Sequence, residues 1–384
     1  MKVLIIGGSI AGLSAANSLR NRNIDFVIFE RGRKRAPKNG GGIAVHNDTI
    51  DYLKTFPVDL ERLNEILYPM PVQLDNNKNG GIIRMGDIPF HSAHWAEVYN
   101  LLADSIPLEK FCFGKELVNV TQTGDGVEAE FKDGTKIKGS VLIGADGILS
   151  TVRKLVFSDD IVRYAGYFAW RGILPKEELS EELPKDTFIL EMSGSCHAVI
   201  YHLGNRINWL VYENVDNGKE VYTTQEQVLG KISRDATEQE LLDFKQMVSK
   251  EFRPLLAELF TKTPLPFINH IYDRDPANHY RKERVLLIGD AAHPVTPHFI
   301  RGSNMAIQDG YFVGKLFDSD HKKWFSDFEK QRVQECNDNV RIAKQLGRLK
   351  QGLILSGKDW TLQTNAKEFA EIAGDGIVPK FIEE

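Results

Sequence analysis

The stretch Arg284-Val285-Leu286-Leu287-Ile288-Gly289-Asp290-Ala291-Ala292-His293-Pro294 reads as an apolar strand that ends in a Gly-Asp turn. A loop stiffened by Pro294 and Pro297 follows, and a helix opens at Gly302-Ser303-Asn304. Far upstream, Val3–Ile6 runs into Gly7-Gly8-Ser9-Ile10-Ala11-Gly12, a turn of dinucleotide-binding pattern. A chain that begins with one strand–glycine turn–helix unit and returns late to another is predicted to wrap one long cofactor.

Each small residue of the first turn has its own task. Gly7 makes the tight bend, Ser9 is small enough to let the backbone approach a pyrophosphate, and Gly12 permits close helix–strand packing. The helix start offers free N–H groups and a positive dipole end to phosphates. Glu30 closes the next strand, eighteen residues past Gly12, where a carboxylate accepts ribose hydroxyl protons.

A second constellation is Ile143-Gly144-Ala145-Asp146-Gly147-Ile148-Leu149-Ser150-Thr151-Val152-Arg153. The strand delivers Asp146 at its carboxyl end, Ser150 is placed to cap a short helix, and Arg153 is within reach of a phosphate or of Asp146. In the third unit Asp290 is predicted to point into the cofactor crevice, with the helix from Gly302 aimed at the reactive ring. A helix N-terminus there stabilises negative charge on a reduced flavin, so FAD is the expected cofactor. His293, beside a proline, reads as a loop hydrogen-bonder before it reads as a catalytic base.

At 384 residues, two closely packed domains are expected. The net charge of −5 disfavours a nucleic-acid or acidic-membrane partner. Cys112, Cys196 and Cys336 are widely spaced and show no disulfide or metal pattern, so no metal and a cytoplasmic location are expected. No apolar run is long enough for a transmembrane segment. Residues 1–16 have the outline of a secretory leader, but a glycine turn and a resumed strand at Phe26–Phe29 favour the structural reading.

Along the chain a helix is predicted over about Ala11–Arg22, then others at Asp48–Thr55 and Trp95–Ser105. Leu117–Lys138 reads as a meander, with Asp133-Gly134 as a type I′ turn. Val162–Glu213 reads as an antiparallel sheet. Gln225–Ile232 and Thr237–Thr261 read as helices, Leu265–Tyr272 as a strand, and the chain beyond Lys315 as helical. Segments 1–70, 98–160 and 274–318 are assigned to a discontinuous cofactor-binding domain. Segments 71–97 and 161–273 are assigned to a substrate domain, and 319–384 to a C-terminal helical segment.

These motifs, together with Tyr164-x-Gly166-Tyr167-x-x-Trp170-Arg171-Gly172, resemble the class A FAD-dependent aromatic monooxygenases of the para-hydroxybenzoate hydroxylase type. The branch resembling dihydroxypyridine and urate hydroxylases is the nearest. The resemblance implies an α/β fold: a Rossmann-like FAD-binding domain of glutathione-reductase type, an inserted, mainly antiparallel substrate sheet, and C-terminal helices. It implies that Ser9, Ile10, Ala11, Gly12, Glu30 and Arg31 hold the AMP half, with Gly7 in the same cofactor-binding turn and Val118 passing the adenine. Asp146 and Asp290 would belong to the cofactor site. Gly302, Ser303 and Asn304 would meet the isoalloxazine, bordered by Gly41, Gly42 and Ile43. NADH or NADPH would visit transiently, and O2 would form a peroxide at the flavin C4a carbon for transfer to an aromatic ring.

Two departures stand out. Ile300-Arg301-Gly302 replaces the usual Gly-Gln-Gly, and Trp95 stands where relatives carry an arginine. No catalytic residue is assigned; His46, Tyr201, His202 and Arg301 are pocket candidates, with strand alternation allowing only one of Tyr201 and His202 to line it. The basic run Arg31, Arg33, Lys34, Arg35 and Lys38 reads as a solvated loop before an NADPH phosphate site. The substrate partner is a small aromatic molecule, and a homodimer stays open. Alternatives are a monooxygenase of a larger natural product or antibiotic, a flavin enzyme of other chemistry, and a flavin-binding protein without turnover. The absence of a Gly-Trp-x-Trp-x-Ile-Pro string counts against a halogenase.

Overall fold

The computed structural model describes residues 1–35, 40–70, 73–76, 81–84, 90–157, 162–184, 188–193, 196–214, 233–317 and 324–355. In chain order its helices are α1 (Ile10–Arg20), α2 (Asn47–Lys54), α3 (Leu60–Ile66), α4 (Trp95–Asp104), α5 (Thr151–Val156), α6 (Glu238–Glu251), α7 (Pro254–Lys262), α8 (Gly302–Leu316) and α9 (Trp324–Leu355).

Strands Val285–Leu287, Val141–Gly144, Lys2–Ile6, Asp25–Glu30 and Phe111–Phe113 lie side by side in that order, all parallel. Only Arg281–Lys282 at one edge runs antiparallel. Their near-continuous Val, Leu and Ile content is what a sheet covered on both faces requires. Ile6 is in register with Gly144, and Gly144 with Leu287. The three motif turns therefore leave adjacent strand ends, where ligands of open parallel sheets bind. Helix α8 presses against α1 where a Cβ on Gly310 would sit 2.3 Å from Ser14, and one on Gly314 2.0 Å from Ser18.

The second large sheet has eight strands, in the order Ser233–Asp235, Phe267–Asp273, Arg163–Pro175, Arg206–Asn214, Cys196–Leu203, Phe188–Met192, Gln73–Asn76 and Gly81–Arg84. All its pairs are antiparallel except that of Phe188–Met192 with Gln73–Asn76. Period-two alternation gives its faces different jobs. Trp170, Trp209 and Val211 pack against Phe244 and Phe260 of α6 and α7. Tyr167, Ala169, Tyr201, Leu210 and Tyr212 face the other way. A small sheet joins Gly42–His46 and Tyr68–Met70 to Phe90–His94, so segments assigned above to different domains are hydrogen-bonded to one another. The α/β class with an added antiparallel sheet is as expected from sequence.

Several local readings need correction. The helix predicted over Thr237–Thr261 is two, because Pro254 cannot continue α6 and instead occupies the first turn of α7. The hairpin at Asp133-Gly134 is not type I′: Gly134 alone has positive φ (82°), and Phe131 N donates to Thr135 O across a three-residue loop. Helix α3 was not anticipated; Asp59 caps it by accepting from the N–H groups of Glu61 and Arg62. The helix predicted over Gln225–Ile232 lies outside the described residues, as does everything after residue 355.

Candidate active site

Two hollows open at the carboxyl ends of the parallel strands. The outer one, about 650 Å³, is lined by the Gly7-Gly8-Ser9 turn, Glu30 to Arg35, Tyr99, Leu117 and Asp146. The inner one, about 320 Å³, lies between the Asp290 turn, the start of α8 and the facing wall of the eight-stranded sheet. They meet at Ser9, Ala145 and Gly147, so one continuous cleft passes the ends of all three motif strands.

The cleft is organised for an anionic, hydroxyl-bearing ligand. Ser9 makes no side-chain cap to α1, and no acidic residue stands in that helix's first turn. The positive end of α1 is thus left open to the cleft. Glu30 holds the turn from the other side, accepting from Gly8 N (2.9 Å) and Gly32 N (2.7 Å). Each carboxylate oxygen keeps a lone pair for a further donor. Helix α8 also lacks a side-chain cap and an acid in its first turn, and Gly302 and Ser303 line the inner hollow. Asp290 opens into the same hollow. Although the side chain is exposed to the hollow, the protein packed around it raises its carboxyl pKa, and the charges of His293 and Arg153 oppose that rise.

Asp146 turns inward to serve the protein. Its carboxylate accepts from the Ser150 hydroxyl and from Thr151 N and Val152 N at the start of α5. Arg153 pairs with neither Asp146 nor open space. Buried, it donates to the carbonyls of Ile148 (2.6 Å), Ala291 (2.6 Å) and Asp290 (3.3 Å), bolting the second motif to the third. Replacing it by methionine is expected to cost about 2–3 kcal/mol in urea unfolding, since its charge-assisted bonds to buried carbonyls are lost. A change under about 0.5 kcal/mol would show that the bolt carries nothing.

The other predicted positions divide. Ile10, Ala11, Gly42, Ile43, Tyr201 and Trp95 line the inner hollow, and Gly7, Arg31 and Asp146 the outer. Gly12 lies behind the turn, where its missing Cβ leaves room for Gly7 O. The Val118 side chain is 42% exposed, and it is Leu117 that faces the cleft. Asn304 is buried as a staple, accepting from His46 N and donating to Ala44 O and Ile300 O. His202 points away from the hollow to Pro184 O. His46 sits against Arg301; burial and that cation lower its pKa to about 4. Arg301 lines neither hollow; half-buried, it lies 3.6 Å from Asp48 and over the Phe299 ring. Ile300 adopts φ +59°, the left-handed conformation that a glycine in its place would take without strain. Trp95 stacks on Tyr99. Of the basic run, Arg31, Arg33, Lys34 and Arg35 border the outer hollow, Arg35 already paired with Asp104; Lys38 lies outside the described residues.

Gly41 and Gly42 owe their identity to the facing sheet. A Cβ on Gly41 would lie 2.4 Å from the Arg171 guanidinium, and one on Gly42 2.7 Å from Tyr201 Oη. Gly42 N donates to Asn208 Oδ1 (2.6 Å), and Arg171 donates to Gly42 O (3.0 Å). This clamp sets the distance between the loop and the wall formed by Phe188, Val199, Tyr201, Leu210 and Tyr212. Phe188 and Tyr201 are near-parallel rings 6.0 Å apart.

Sequence reading missed the inner end of this hollow. His298 bonds through Nε2 to Tyr167 Oη (2.9 Å) and packs on Tyr212. Lys350 of α9 lines the same end and is 6% exposed; burial lowers its pKa to about 8. The only hint was Gly347, where an added Cβ would lie 2.8 Å from the His298 ring, so that its absence lets α9 pack close.

Behind the third turn lies a buried ionic knot. Asp309 Oδ2 accepts from Gly289 N (2.8 Å) and meets His293 Nε2 (2.6 Å), while Oδ1 accepts from Arg332 Nε (2.8 Å). Cys336 stands beside His293 and Asp309 at a spacing that would suit a metal ion. Both Asp309 oxygens are already used, and the Arg332 guanidinium supplies the positive charge. His293 is thus a structural hydrogen-bonder lying outside the hollows.

Comparison with known proteins agrees with this geometry. A family model described as an FAD binding domain matches residues 1–320. The chain is 26% identical to 2,6-dihydroxypyridine 3-monooxygenase of Paenarthrobacter nicotinovorans, covering 91% of this chain and 92% of that protein. It is 25% identical to 6-hydroxynicotinate 3-monooxygenase of Pseudomonas fluorescens, over 89% and 90% respectively. The solved 2,6-dihydroxypyridine-3-hydroxylase from Arthrobacter nicotinovorans superposes with a TM-score of 0.79 at 25% identity, covering 100% of this chain and 98% of that one.

Proposed function

Because this chain belongs to the FAD binding domain family, we propose that it is an FAD-dependent monooxygenase that uses NAD(P)H and O2 to hydroxylate an aromatic or heteroaromatic ring. One observation carries the reading. The open helix ends of α1 and α8 and the Asp290 turn border a single cleft that continues into an aromatic-walled hollow. Related proteins named for hydroxylating pyridine and nicotinate rings support the substrate class.

In this reading residues 1–70, 98–160 and 274–318 form the cofactor domain, and 71–97 with 161–273 the substrate wall. Gly7 to Gly12 and Arg31 hold the AMP half, Glu30 takes the ribose hydroxyls, and Asp290 takes a polyol hydroxyl. Bound FAD supplies electron transfer from the nicotinamide donor and the activation of oxygen. The protein's part is to bind, orient and keep water out. The N–H groups at Gly302 and Ser303, at the positive end of α8, stabilise negative charge on the ring. Burial pushes the Tyr201 phenol up to about 12, so Oη keeps its proton at neutral pH and serves as a donor beside Gly42. The side chains of Phe188 and Tyr212 supply flat apolar surface for an aromatic substrate.

The test is to purify the protein, read its visible spectrum for flavin, and follow NAD(P)H oxidation against phenols, hydroxypyridines and purines. A colourless preparation that FAD does not reconstitute sinks the proposal. Asp290→Ala is expected to weaken FAD binding about tenfold, the worth of one well-placed hydrogen bond, with the unfolding midpoint little changed. Full flavin occupancy at limiting FAD would remove Asp290 from the site.

A further inference from the structure

We propose that the inner end of the aromatic-walled hollow is an anion subsite, in which Lys350 Nζ receives an anionic oxygen carried by the substrate ring. This rests on the reading of the cleft as an aromatic hydroxylase site. Lys350 lines the hollow and is 6% exposed. Among the described residues no carboxylate pairs with it, and no hydrogen bond engages its ammonium. A buried ammonium without a counter-charge is costly, and such groups are normally paired. The cost is offset when a ligand brings the missing negative charge.

The surroundings select for that charge. His298 and His197 are the titratable neighbours, and burial followed by the Lys350 charge holds both well below the usual imidazole range. They are neutral at pH 7, so among the described residues Lys350 is the positive group at this end, the Arg171 guanidinium of the same hollow being tied to Gly42 O. His298 is held by Tyr167 Oη, and His197 stacks on Tyr212 with a centroid separation of 4.6 Å. Gly347, one turn earlier on α9, brings the helix close enough for Lys350 to reach inside. The walls are aromatic and aliphatic: Tyr212, Leu210, Val199 and Phe188. A flat ring between such walls presents one edge to the ammonium. The fitting ligand is an aromatic ring bearing a carboxylate or an ionised hydroxyl on that edge.

The experiment uses FAD-loaded enzyme and calorimetric dissociation constants. The probes are 3-hydroxybenzoate against 3-hydroxybenzamide, 6-hydroxynicotinate against 6-hydroxynicotinamide, and 2,6-dihydroxypyridine. The wild type is expected to bind the anionic probe about 30-fold or more tighter than its neutral counterpart. Lys350→Met should erase that preference while moving the amides less than about threefold, and Lys350→Arg should keep most of it. A preference in the acid–amide pairs identifies a carboxylate. Tight binding of 2,6-dihydroxypyridine alone, lost in Lys350→Met, identifies an ionised hydroxyl. An FAD-loaded wild type with neither an acid–amide preference nor Lys350-dependent binding of 2,6-dihydroxypyridine, or a Lys350→Met variant that retains whichever the wild type shows, overturns the subsite. Those results leave the hydroxylase reading standing if uncharged phenols still stimulate NAD(P)H oxidation. Should Lys350→Met fail to fold, the wild-type preference and Lys350→Gln decide.

Discussion

Asp309→Asn is expected to lower the unfolding free energy by about 3–5 kcal/mol, a large share of the total for an ordinary domain. Asparagine keeps the shape but removes the charge that two buried cations share. His293, 2% exposed, would lose its counter-ion, and Arg332, 1% exposed, would keep only the half-exposed Glu335. The bond from Gly289 N is weakened as well, so the Asp290 turn loosens together with the contact between α8 and α9. Urea unfolding of the FAD-loaded and FAD-free protein measures this. A loss below about 1 kcal/mol would mean that solvent or a rearranged neighbour replaces the carboxylate.

The same knot has a pH signature. Burial alone would raise the Asp309 carboxyl, but the charges of His293 and Arg332 outweigh it and bring it down to about 2. A depressed carboxyl contributes stability that is complete above its unfolded value of 3.8 and is lost as pH falls through about 2. Burial opposes protonation of His293, yet Cys336 and Asp309 raise its pKa well above 6.5. A raised imidazole contributes stability that is complete below 6.5 and is lost as pH rises through its folded value. Wild type should therefore lose stability on both sides of a plateau. Asp309→Asn should flatten the acid limb, and parallel curves for the two proteins would contradict the assignment.

The second large effect is expected at Gly12. A Cβ there would lie 2.0 Å from Gly7 O, and Gly7 itself holds φ +106° with its own Cβ position 2.3 Å from Ala145 O. Neither backbone group has room to yield. Gly12→Ala must displace α1 from the turn, and with it the N–H groups proposed to receive the cofactor phosphates. Loss of two charge-assisted bonds of about 1.5–3 kcal/mol each weakens FAD binding by roughly 100-fold or more. Fluorescence titration of the FAD-free protein reads this directly. Gly124→Ala is the control: nothing lies within 4 Å of its Cβ position, so FAD affinity and melting temperature should stay put. Equal affinity in Gly12→Ala and wild type would mean that this turn does not carry the phosphates.

How much of this was legible beforehand depends on distance along the chain. The strand–turn–helix units at Gly7 and Asp290 announce themselves because apolar runs, glycines and terminal acids act within about ten residues of each other. Alternation likewise separates Tyr201 from His202, and Trp170 from Arg171, before any fold is known. The split of α6 from α7 is equally local, set by Pro254. Why Gly41 and Gly42 must be glycine is not legible in sequence, because their crowding comes from Arg171, Tyr201 and Asn208, more than a hundred residues away.

The amino-acid order alone determined where the strands end in glycine–acid turns, and so that one long nucleotide cofactor and an α/β fold were in prospect. Short-range sterics and hydrogen bonding specify such turns without help from elsewhere. Tertiary packing alone decided that Arg153 bolts two motifs together, that Asp309 answers two cations, and that Lys350 on a charged-looking helix stands buried at the inner end of the hollow. Burial and ion pairing are properties of the space between distant segments, and a lysine's neighbours in sequence do not reveal which charges it meets after folding.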